Sequence, residues 1–87
     1  MLTPEPTRAM VEAEAARRFG ADSVHGVMLL LDRYPATGSS ATPAGRARVQ
    51  LAVLKLGGGR IDLVRHYVEQ ANLDVRDVLY WAESFDR

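Results

Sequence analysis

The chain contains no cysteine, so it can form neither a disulfide nor a thiolate metal site, and it offers no thiol nucleophile. Small exported domains commonly depend on such cross-links, which makes a reducing, cytoplasmic setting the expectation. Net charge is absent too, because 11 basic and 11 acidic side chains cancel. Nucleic-acid binders usually show a basic excess on one face, so this balance disfavours nucleic acid as a partner. Long hydrophobic runs are missing as well. The longest, such as Val27 to Leu31, have five residues, against roughly 20 for a membrane helix. The opening MLTPEPTRAM has neither a basic n-region nor an apolar h-region, so no export signal is read and no membrane is expected. Lysine is nearly lacking. Lys55 stands beside ten arginines, and together with the many alanines this bias points through codon usage to a GC-rich bacterial genome.

Hydrophobic residues fill 47% of the 87 positions, which is enough for one modest core. A chain of this length makes a single domain rather than two. No stretch alternates with period two over a strand's length, whereas five segments place apolar residues at steps of three and four. The first runs from about Thr7, a fair N-cap, to Phe19, and Gly20 ends it. Its apolar side is thin, with Val11, Ala15 and Phe19, so it depends on docking. The second begins at Asp22 or Ser23 and is expected to continue to Tyr34, where Pro35 disfavours helical geometry. Val24, Val27, Met28, Leu31 and Tyr34 form its inward stripe. Gly26 inside it implies either a close crossing by a neighbour or a frayed first turn.

Residues 35 to 43, PATGSSATP, carry no large apolar group, and they read as a mobile surface loop within one domain. Thr42-Pro43 then opens a third helix, a capping hydroxyl followed by proline at the first helical position. It extends to Leu56 and is apolar on most sides, so it is expected to be central, together with the fifth helix. Gly57-Gly58-Gly59 ends it. The fourth runs from about Arg60 to Ala71, with Ile61, Val64, Tyr67, Val68 and Ala71 inward and Asn72 as the residue after its cap. The fifth has the clearest start: Asp74 at the N-cap, Asp77 at the third helical position, and Leu73 and Val78 at the staple positions. Val75, Val78, Leu79, Ala82 and Phe85 are its inward stripe. The expected fold is therefore all-α, a compact bundle of four to five short helices over residues 1–87.

From Arg46 onward, RARVQLAVLKLGGGRIDLVRHYVEQANLDVRDVLYWAES resembles a family of short, uncharacterised bacterial proteins. The shared pattern is an R-x-Q-L-A-V-L-K-L helix (Arg48, Gln50 to Leu56), a small-residue turn, and an ending close to R-D-V-L-x-W-A-E (Arg76 to Glu83). The likeness covers a little under half the chain and omits the first two helices. It implies a compact helical fold and brings no activity with it.

Several motifs invite a function. The fourth and fifth segments, joined by Asn72-Leu73-Asp74, resemble a helix-turn-helix whose second helix would enter the major groove. That helix carries Asp74, Asp77, Glu83 and Asp86 against Arg76, a balance that repels a phosphate backbone. Asp62, His66 and Glu69 share helical spacing suited to a metal, but further ligands are needed and a solvated face accounts for them. Gly57-Gly58-Gly59-Arg60 superficially resembles a phosphate-cradling turn, yet it follows no strand and lacks the lysine and hydroxyl of a P-loop. No serine, histidine and acid arrangement suggests a nucleophile. Hence no catalytic residue, cofactor or metal is assigned.

Tyr80 and Trp81 are the informative pair. Both lie off the inward stripe of the fifth helix, and large aromatics at the margin of a buried face are enriched in interfaces. One reading packs Trp81 against the N-terminal helix or the proline-rich start. The other makes Trp81, Tyr80 and Arg76 a surface for a protein partner or a second copy in a homodimer. The leading expectation is a small non-enzymatic interaction module, with a helix-turn-helix nucleic-acid binder as the alternative.

Overall fold

Local caps set most of the helix boundaries in a computed structural model that describes residues 5–36 and 41–85. Among these residues there are five helices and no strand. The expected mobility at residues 35–43 falls partly on residues 37–40, which lie outside the described set. Helix α1 spans Arg8–Phe19. Its first turn is capped by Thr7, whose hydroxyl accepts from the Met10 amide at 3.2 Å. Gly20 closes it at φ +88°, a value that side chains rarely tolerate, and its amide donates to the Ala16 carbonyl. Helix α3 spans Pro43–Gly57 and opens on the Thr42 hydroxyl, which accepts from Gly45 at 3.0 Å. A single residue, Asp74, separates α4 (Ile61–Leu73) from α5 (Val75–Ser84). Its amide donates to Gln70 of α4, while its carboxylate accepts from the Arg76 amide at the start of α5.

Helix α2 covers Val24–Leu31 and stops three residues before the expected Tyr34. The cause is tertiary. The amides of Arg33 and Tyr34 turn back on Leu30 and Leu31, a tighter winding than the α-helix. Carbonyls at this exit also accept from distant side chains. Gln50, buried in α3, donates from Nε2 to Leu31 at 3.0 Å and to Tyr34 at 3.1 Å. Asn72 donates to the Arg33 carbonyl and accepts from the Ala36 amide. Asn72 therefore does not follow the cap of α4; it sits inside that helix and ties α2's exit to it. Arg8 adds a two-pronged pair to Asp32 at 2.7 and 2.8 Å.

The core forms around α3, whose Val49, Val53 and Leu54 are buried. This helix packs on α1, α4 and α5. The second hub is α4 rather than the expected α5, since α4 packs on α2, α3 and α5, while α5 meets chiefly α3 and α4. Each fully buried Leu or Val contributes on the order of 1.5–3 kcal/mol relative to exposure.

Three apolar residues expected inside are exposed: Ile61, Leu73 and Phe85. Ile61 begins α4 on the flank that faces α2 instead of α3. Leu73 ends α4 as its last helical residue and stays exposed, so the expected staple onto Val78 does not form. Phe85 follows the last residue of α5 and leaves the packed stripe there.

Candidate interaction surface

Helix α5 turns Val78 and Ala82 into the core, with Val75 and Leu79 half-buried beside them. Tyr80 and Trp81 are thereby directed outward. Tyr80 is 67% exposed and Trp81 38%. The ring that meets Trp81 is Tyr67 of α4, edge-on with centroids 6.2 Å apart, and His66 lies edge-on to Tyr67 at 4.9 Å. Helices α1 and α5 are not among the pairs in substantial contact, and the proline-rich start, the other seat expected for Trp81, lies partly outside the described residues. The three rings make a ledge across the α4–α5 hairpin. Asp77, Tyr80 and Trp81 share α5's outer face at the spacing of neighbours three and four apart, and Glu83 stands beside Tyr80.

Arg76, the third residue expected at this surface, is engaged locally. Its guanidinium holds the Asp74 carboxylate through two hydrogen bonds of 3.1 and 3.0 Å. Those bonds, with the Arg76 amide, hold the Asp74 carboxyl below its usual pKa, and they raise that of Arg76. Likewise, hydrogen bonding from Arg8 lowers the Asp32 carboxyl despite some burial.

The remaining motifs serve the fold. The amides of Gly58 and Arg60 donate to the carbonyls of Leu54 and Gly57, and the Arg60 guanidinium pairs with Asp62 at 2.9 Å. Among the described residues, no group of three or more His, Cys, Asp or Glu side chains could hold a metal ion. None of the described helices is long and apolar enough to cross a membrane.

A second surface feature was not legible in the sequence. An open groove of about 530 Å³ runs between α2 and the start of α4. Leu29, 59% exposed, and Ile61, 44% exposed, line it with Phe19 and Leu30. Gly26 borders it, and a Cβ added there would meet nothing within 4 Å. No neighbour crosses closely at that glycine. Arg33 and Arg65 also line the groove, with Asp22 among its residues as an acid. Neither arginine forms an ion pair among the described residues. The signal for the groove was divided between helices far apart in the chain.

Comparison of the chain with protein-family models, with curated proteins and with solved structures gives no match.

Proposed function

We propose that this chain is a small non-enzymatic interaction module that associates with a second copy through the aromatic face of α5. The observation that carries the reading is the partly uncovered Trp81, the single tryptophan of the chain, set against Tyr67 and beside the more exposed Tyr80. Rigid aromatics left at the margin of a packed face supply large contact area at little entropic cost. Zero net charge favours the same reading, because copies do not repel one another as highly charged chains do. The helix-turn-helix alternative finds less support. The would-be recognition helix starts on acids, and its arginine is already bound to Asp74.

Light scattering across a concentration series up to the millimolar range tests the proposal. The mean mass is expected to rise with concentration. Trp81→Ala combined with Tyr80→Ala should weaken association roughly thirtyfold, the loss typical of removing an aromatic anchor. Circular dichroism would verify that the variant keeps its helices. A wild-type chain that stays monomeric throughout would defeat the proposal.

A further inference from the structure

We infer that the outer face of α5 on one copy docks into the α2–α4 groove of a second copy. This rests on the self-association proposed above and names its counter-surface. The two surfaces are complementary in both components. The groove offers two guanidinium groups, Arg33 and Arg65, that form no ion pair among the described residues, against the single acid Asp22, around the exposed Leu29 and Ile61. The outer face of α5 offers the exposed Tyr80 and Trp81 together with Asp77 and Glu83. Neither of those acids forms an ion pair among the described residues.

Another groove, lined by Met10, Leu51 and Phe85, lacks this match, because its Arg17 and Arg18 are both held by Glu14. An apolar strip between cations is best filled by an apolar surface bearing acids. This chain itself carries such a surface.

The geometry also dictates the kind of assembly. Arg65 in the groove and Tyr67 under Trp81 stand two residues apart on α4, which places them on flanks about 160° apart. A contact between two different surfaces on opposite flanks repeats from copy to copy, building rings or chains instead of stopping at a two-fold dimer. Much of the attraction is between surface charges, so added salt should weaken it.

Sedimentation velocity on four chains tests this: wild type, Arg33→Glu with Arg65→Glu, Asp77→Lys with Glu83→Lys, and all four changes together. All four positions are exposed, so the fold should persist. Wild type is expected to sediment as species that grow past a dimer with concentration. Each charge-reversed pair should weaken association at least about tenfold, since like charges then face each other. The fourfold variant, with both surfaces inverted, should recover most of it, which also shows that the weakening did not come from misfolding. Three results would overturn the inference. If loss of Tyr80 and Trp81 abolishes association but reversal of Arg33 and Arg65 leaves it intact, the proposed module stands and this counter-surface is wrong. If the fourfold variant stays as weak as the pairs, the two faces do not meet. If wild type is monomeric at every concentration, both the inference and the self-association fall, and the groove is left for a partner other than this chain.

Discussion

Val64 and Ile61 stand three residues apart on α4, one in the seam with α3 and the other in the seam with α2. Val64 has no exposed surface, whereas the larger Ile61 keeps 44%. Two glycines mark the same contrast. In the α3 seam, a Cβ on Gly57 would lie 2.8 Å from a methyl of Val64 and 3.3 Å from its backbone nitrogen. In the α2 seam, a Cβ on Gly26 would touch nothing. Hydrophobicity does not separate these positions. What separates them is whether another helix lies opposite, and how near its backbone comes. One glycine permits close packing; the other leaves an opening.

The same substitution on the two sides should give opposite results. Leu54 is fully buried in α3, and Leu54→Ala is expected to cost about 2–5 kcal/mol through lost burial and a residual cavity. Leu29 lies in the groove, largely exposed, and Leu29→Ala should stay within about 0.5 kcal/mol. Urea unfolding followed by circular dichroism measures both. Similar losses at the two sites would erase the distinction between the seams.

A smaller effect probes how closely the α3 seam is packed. Gly57→Ala forces its methyl against Val64, and overpacking of this kind costs about 1–3 kcal/mol. Shortening the neighbour should relieve part of it. In a double-mutant cycle, Val64→Ala is expected to be less harmful in the Gly57→Ala background than in the wild type, because the two residues share one space. Strict additivity would mean that the backbone, and not the Val64 methyl, sets the approach.

Features whose cause is local were readable in the sequence. Thr7, Thr42-Pro43 and Asp74 open helices α1, α3 and α5 because each cap acts on an amide two or three residues away. Gly20 ends α1 through its own backbone freedom. The end of α2 was hidden, since it is set by Gln50 and Asn72 from other helices, and neither residue announces this in its own neighbourhood. Helical spacing likewise put Tyr80 and Trp81 off the core stripe, but it could not choose Tyr67 as the ring beside Trp81. The groove was the least visible feature. Its cations lie just past the end of α2 and on α4, and only the packing of those helices brings Arg33 and Arg65 to one place.

The smallest expected effect has the opposite sign. Gly26 lies within α2, where glycine costs about 0.5–1 kcal/mol relative to alanine because it has more backbone freedom to lose on folding. A methyl group at this position would have no neighbour to displace. Gly26→Ala should therefore raise the unfolding free energy by about 0.5–1 kcal/mol in urea titrations. In a buried seam, the same change would do what it does at Gly57. A destabilised Gly26→Ala chain would show that something packs close to this residue, and the α2 seam would then have to be counted as closed.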